Sequence, residues 1–126
     1  MEILALAIIE NQYKEILLLR KDKEWMLPGG IVLDEEPEWT LFRKVYEKTG
    51  LEVIDFVITL DHDIYLDKRK KTYQCKIYTG SFIGIENTAI SPWEQYKGLK
   101  EVRWINKKFA LTLKLSELTI IGIGNN

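Results

Sequence analysis

The stretch Leu27-Pro28-Gly29-Gly30, followed at fixed distances by Glu35, Arg43 and Glu47-Lys48-Thr49-Gly50-Leu51, constrains this chain more than any other feature. Pro28-Gly29-Gly30 is expected to stop regular structure and let the backbone turn tightly. From Pro37 to Thr49 the periodicity becomes helical. Pro37 suits the first helical position, where its missing N–H costs nothing. Glu35, Glu36 and Glu38 put negative charge at the positive end of the helix dipole. At about 100° per residue, Leu41, Phe42, Val45 and Thr49 share one side, and Thr40, Arg43, Lys44, Glu47 and Lys48 share the other. Gly50 stands where a left-handed residue closes a helix. The result is an amphipathic helix with one packed face and one charged face, entered from a Pro-Gly-Gly segment.

Around this unit the chain reads mostly as strands. Leu4 to Ile9 and Glu15 to Arg20 are β-rich runs flanking the polar turn Glu10-Asn11-Gln12, which predicts a hairpin. Further β-type runs follow at Val53 to Leu60, Asp63 to Leu66, Thr72 to Ile85 and Glu101 to Ile105, and Lys107 to Leu118 reads as helical. Strands with a few inserted helices and no βαβ alternation predict an α+β layered fold with a mixed sheet. No repeat, low-complexity block or Pro/Gly/Ser linker divides the chain, so residues 1–126 are expected to form a single domain.

With 126 residues, 46% hydrophobic and 29% charged, the chain suffices for a modest core. A net charge of -1 supplies no basic field for generic nucleic-acid binding. Cys75 has no internal disulfide partner, and one Cys with one His (His62) makes no zinc site. The apolar run Ile3 to Ile9 is too short to span a bilayer, and Glu2 replaces the basic start of a signal peptide. A cytoplasmic protein without membrane association is expected. The oligomeric state stays open, with a homodimer among the options.

The motif resembles the Nudix box, the loop-helix-loop signature G-x5-E-x7-R-E-U-x-E-E-x-G-U of the Nudix (MutT-like) hydrolases, U being a large aliphatic residue. The resemblance extends to Glu101-Val102-Arg103-Trp104-Ile105, similar to a family segment ending in an Arg-Trp pair. It implies the Nudix α/β/α sandwich around a mixed β-sheet. The implied reaction is Mg-dependent hydrolysis of a nucleoside diphosphate linked to another group. Residue by residue, Gly29 matches the glycine whose carbonyl ligates metal, and Arg43 the arginine that pairs with the loop glutamate and orders the loop. Glu35 aligns best with that glutamate, although the loop is then one residue shorter than the consensus; Glu36 fits from the left but spoils the spacing to Arg43. Glu47 matches one ligand glutamate. Lys44 and Lys48 occupy the other two glutamate positions, so the box is degenerate where the family does its chemistry. Regulatory members of the family are joined to a DNA-binding domain, for which 126 residues leave no room.

Diphosphate hydrolysis needs charge neutralised and a water activated, work usually given to metal. Magnesium can be held by one or two carboxylates plus substrate phosphates, so Glu47 alone is no formal exclusion. The lysines weigh more. Neighbours on a helix face lie about 5–6 Å apart. An ammonium about 6 Å from a divalent ion repels it by roughly 5 kcal/mol at an effective dielectric of about 20, and by above 1 kcal/mol in full water screening. Lys44 and Lys48 can instead offer a phosphate the positive charge that metal supplies elsewhere, with Arg43 and Glu47 holding the geometry. Solvated lysines on a dead site are the plain alternative.

Other candidates are weaker. Trp25, Trp93, Tyr65, Tyr73 and Tyr96 could stack on a base, though core or surface packing explains each. Glu94, in Ser91-Pro92-Trp93-Glu94, lies about where some family members place an extra metal-binding glutamate. Lys68-Arg69-Lys70-Lys71 reads as a charged hairpin turn. Asp61, His62 and Asp63 resemble a metal cluster in composition only. Three functions remain open: a hydrolase with an altered site, a metal-free binder of a nucleotide-like or diphosphate molecule, and an interaction domain keeping only the fold.

Overall fold

The computed structural model describes residues 1–84 and 86–124. In chain order the elements are β1 (Ile3–Ile9), β2 (Glu15–Lys21), β3 (Glu24–Met26), β4 (Gly29–Val32), α1 (Pro37–Thr49), β5 (Val53–Leu66), β6 (Lys71–Phe82), α2 (Pro92–Tyr96), β7 (Leu99–Asn106), α3 (Lys107–Ala110) and α4 (Glu117–Gly124). They build an α+β fold with two sheets. One is mixed, in the order β4-β1-β6-β5, with β1 parallel to β6 and the other pairs antiparallel. The other, β3-β2-β7, is antiparallel. No described helix is long and apolar enough to cross a membrane.

β1 serves two cores at once. Its alternate residues Leu6 and Ile8 face a cluster with Ile16, Leu18, Ile77 and Ile105, between the two sheets. Ala5, Ala7 and Ile9 face the opposite way, into a cluster with Leu41 and Val45 of α1. The period of two along the strand makes this division automatic. Leu41 and Val45 are fully buried, so α1 is held mainly by its apolar stripe rather than by its ion pairs.

Four local expectations are corrected. β1 and β2 are not a hairpin: they lie in different sheets and share one isolated bridge, Glu10 to Ile16. Both strands are buried along most of their length, and the buried Asn11 makes the crossing, its Oδ1 accepting from the N–H groups of Tyr13 and Glu15. Pro28-Gly29-Gly30 interrupts regular structure only at Pro28. Gly29 and Gly30 open β4, paired with Leu6 and Ala5, while Leu27-Pro28 carries the chain from one sheet to the other. Val53 to Leu66 is one strand with two register shifts, because polar Asp61-His62-Asp63 lies exposed on an edge strand and stays paired with β6. Finally, α3 ends at Ala110 and α4 begins at Glu117. Leu111, Leu113 and Leu115 alternate with period two, and this segment runs beside β3, where Trp25 N–H donates to the Lys114 carbonyl at 2.8 Å. β6 ends at Phe82; Ile85, the expected end of that strand, lies outside the described residues, as do residues 125–126. Asp67 to Lys70 forms the β5–β6 turn, with Lys70 in a left-handed conformation, and Lys71 already belongs to β6.

Candidate functional site

Gly29 is the position where backbone meets backbone. A side-chain carbon there would stand 2.1 Å from the Ala5 carbonyl oxygen, and φ is +146°. Glycine alone lets β4 approach β1 this closely. Gly30 serves differently: the stem of Lys44 lies over it, Cε 3.5 Å from where its Cβ would be. The two glycines therefore press β4 against β1 on one side and against the charged face of α1 on the other.

On α1, Gly50 has φ +74° and its N–H donates to the Tyr46 carbonyl at 2.8 Å. Its first turn is fastened by Glu35. One carboxylate oxygen lies 2.7 Å from Arg43 Nη2 and the other 3.0 Å from Arg43 Nη1, while Thr40 Oγ1 donates to the first at 2.8 Å. The Arg43 bond, then that of Thr40, holds the Glu35 carboxyl below the usual carboxylate range. Glu35, not Glu36, is thus the partner of Arg43. Thr40, assigned by periodicity to the charged side, is fully buried.

Glu47 and the lysines have definite neighbours. Glu47 Oε1 sits 3.8 Å from Arg43 Nε. Lys48 Nζ donates to the Gly29 carbonyl at 2.9 Å. Burial, then the charges of Lys44 and Lys21, pushes the Lys48 ammonium down to about 8; Glu94 opposes this and Lys97 reinforces it. Glu94 lies on α2 and is 3% exposed. Its carboxylate pairs with Lys97 Nζ at 3.0 Å, and Ser91 Oγ caps the helix by accepting from the Glu94 N–H. The segment leading to α2 is tied to α1 by Ala89 N–H donating to the Thr49 carbonyl at 2.8 Å.

Trp25 is corrected as a ligand-stacking residue. It is 8% exposed, packs in the core between the sheets, and Arg20 lies 5.9 Å from its ring centroid. Tyr73 is also buried. A cleft of about 310 Å³ opens beside Gly29, Gly30 and Lys48; Lys21, Lys68 and Arg69 line it together with the carboxylates Glu24 and Glu117, and Met26 is among its apolar residues. Lys21, Thr40 and Lys97 are members that the sequence reading missed. The spacing Glu94–Lys97 carried a signal, since opposite charges three apart on a helix meet; Lys21, far away in sequence, carried none.

The donors expected for magnesium do not fit a divalent cation as they stand. The Gly29 carbonyl accepts from an ammonium, Glu47 faces Arg43, and Glu94 is paired with Lys97. Among the described residues, no three Asp, Glu, His or Cys side chains come together in a metal-holding group. The positive charge on this face belongs to the chain itself.

Two sheets, a glycine strand and a charged helix with its Glu–Arg clasp make up one α+β arrangement. The NUDIX domain family model matches residues 2–117, and the chain belongs to that family. No curated protein matches the sequence. Among solved structures, a NUDIX hydrolase from Nitrosomonas europaea superposes with a TM-score of 0.80 at 16% identity, covering 98% of this chain and 86% of that one. A MutT NUDIX hydrolase from Burkholderia pseudomallei gives 0.80 at 20%, covering 98% and 96%. The NUDIX domain of Shewanella oneidensis NrtR, in complex with ADP ribose, gives 0.76 at 20%, covering 98% and 83%. At these identities the likeness is one of fold.

Proposed function

We propose that this NUDIX domain binds a phosphorylated, nucleotide-like molecule through Lys44 and Lys48 without a divalent metal, and that its capacity for diphosphate hydrolysis is weak or lost. The observation that carries this reading is the Lys48 ammonium on the Gly29 carbonyl. A cation already sits at the oxygen that the family resemblance assigns to metal. The stem of Lys44 lies over Gly30 next to it, so two lysines flank one glycine strand. A phosphate entering the cleft meets charge fixed by the fold and needs no ion to neutralise it. The ADP ribose carried by the Shewanella oneidensis NrtR domain supports a ligand of that class.

Lysines left without an acidic ligand role remove attraction for magnesium and add repulsion of roughly 5 kcal/mol each at about 6 Å. Glu47 and Arg43 then order the helix face rather than serve turnover. The test is a thermal-shift and hydrolysis panel of nucleoside diphosphates, with magnesium or EDTA, on wild type and Lys44→Glu/Lys48→Glu. Wild type is expected to be stabilised in EDTA and to hydrolyse little; the double variant is expected to lose EDTA-resistant stabilisation and gain magnesium-dependent turnover. Ordinary enzymatic rates in wild type, unchanged by the double substitution, would refute the reading.

A further inference from the structure

β5 ends the mixed sheet with a long, open edge. Among the described residues it pairs with β6 alone, so alternate backbone N–H and C=O groups face outward. Natural edges are usually kept short or covered. β5 runs for 14 residues, where about five or six are usual. Ile54, Val57, Ile58 and Tyr65 stand exposed along it. Of its central charges, Asp61 is engaged within its own sheet. Its Oδ1 accepts from Gln74 Nε2 at 3.1 Å and its Oδ2 lies 3.5 Å from Lys76 Nζ, both on β6.

The two ends of this edge differ. At its start α1 overhangs it: Phe42 meets Phe56 edge-on with centroids 4.9 Å apart, and Trp39 lies 6.3 Å from Phe42. Trp39, Phe42 and Tyr46 recur at i, i+3 and i+7 and share one side of the helix. With Val53, Glu35, Arg43 and Glu52 they line a groove of about 510 Å³. Trp39 and Tyr46 are 65% and 60% exposed. Glu35 and Arg43 neutralise each other, which leaves Glu52 and Asp55, both exposed, as the open charge at this end. At the other end β5 runs into the turn Asp67 to Lys70, three cations against one carboxylate. Lys68 is held by Glu24 at 2.8 Å; Lys70, at the tip, makes no ion pair among the described residues.

A second copy laid antiparallel along β5 brings each end against its opposite. The cationic turn then meets Glu52, Asp55 and the open faces of Trp39 and Tyr46, a seat suited to cations. A parallel copy would set like charge on like. We propose that this chain forms a two-fold homodimer through antiparallel pairing of its β5 edges, with the β5–β6 turn of each copy seated in the aromatic groove of the other. The two-fold uses each β5 edge once, so assembly closes at two copies. The opposite end of the sheet, β4, offers four residues only. The docked turn also supplies Lys68 and Arg69 to the cleft of Gly29 and Lys48, so the second copy braces one wall of that cleft.

Sedimentation equilibrium of the full chain, from micromolar to near-millimolar concentration and without ligand, tests this. Wild type is expected to reach twice the chain mass and no more. Val57→Lys puts a charge on the edge and is expected to leave a monomer. Val57 is exposed, so the fold should survive, as circular dichroism melts would show. Glu52→Lys and Lys70→Glu are each expected to weaken the dimer about 10-fold, since the two-fold repeats every lost attraction. The double variant Glu52→Lys/Lys70→Glu should regain wild-type affinity. A wild type monomeric at every concentration overturns the proposal, as does a dimer indifferent to Val57→Lys and to both charge changes. Mass growing beyond two copies overturns the closed pairing, and a double variant no tighter than the single ones overturns the seating of the turn.

Discussion

The Lys48 ammonium accepts a cost to stay where it is: burial and the charges of Lys44 and Lys21 push it down from 10.5 to about 8. The unfolded chain, at the ordinary value, holds its proton longer. Below about pH 8 both states are protonated and the folded state bears the full penalty. Between about 8 and 10.5 the folded state releases its proton first, so stability rises with pH. The gap corresponds to about 3 kcal/mol, offset by about 1 kcal/mol for the hydrogen bond to the Gly29 carbonyl. Lys48→Met is therefore expected to be about 2 kcal/mol more stable than wild type at pH 7, with the advantage fading towards pH 10.5. Urea melts at the two pH values check this; an equal advantage at both would assign it to packing alone. A residue that destabilises its own fold at neutral pH fits a binding role better than an architectural one. The charge at position 48 could be read from sequence, but not its place on the Gly29 carbonyl, because that contact joins residues 19 apart through tertiary packing.

At the scale of elements, α1 was legible from end to end, Pro37 to Thr49, since Pro37, the apolar stripe and Gly50 all agree. β4 was not, because Pro-Gly-Gly is turn chemistry by local rules, and only the close approach to β1 turns it into a strand. The two glycines allow a controlled test of that explanation. Gly29→Ala forces an alanine to φ +146° with its Cβ 2.1 Å from a backbone oxygen, and neither can shift without opening the β1–β4 ladder. A loss of about 3 kcal/mol or more is expected. Gly30→Ala meets only the flexible Lys44 stem at 3.5 Å, ordinary contact, and is expected within about 1 kcal/mol of wild type. Chemical denaturation of both proteins decides it; similar losses at 29 and 30 would mean that the β1–β4 approach is not what fixes Gly29. The split of Lys107 to Leu118 into α3 and a strand-like return to Trp25 was legible too, had the period-two leucines been weighed above the run's length.

Across the whole molecule, the α+β class and the mixed sheet followed from element order, whereas the second sheet did not. β2 lies on β7, far along the chain, with Glu15 paired to Asn106 and Lys21 to Leu99, a pairing no local pattern encodes. The same long-range closure brings β2's Lys21 to the cleft of Gly29 and Lys48, so the cation field there is a product of the entire fold. A net charge of -1 hides this field, which is local rather than global. Ligand binding should therefore report on global stability by mass action. At a nucleoside diphosphate concentration of about 100 Kd, binding to the native state alone contributes about 2.7 kcal/mol, or a rise in melting temperature of roughly 10 °C for a chain of this size. The rise should survive EDTA, shrink as salt screens the ammonium groups, and shrink again as pH climbs past about 8 and Lys48 gives up its charge. Differential scanning calorimetry over those three variables separates the sources: stabilisation abolished by EDTA would return the charge to a metal, and stabilisation indifferent to both salt and pH would remove the lysines from the site.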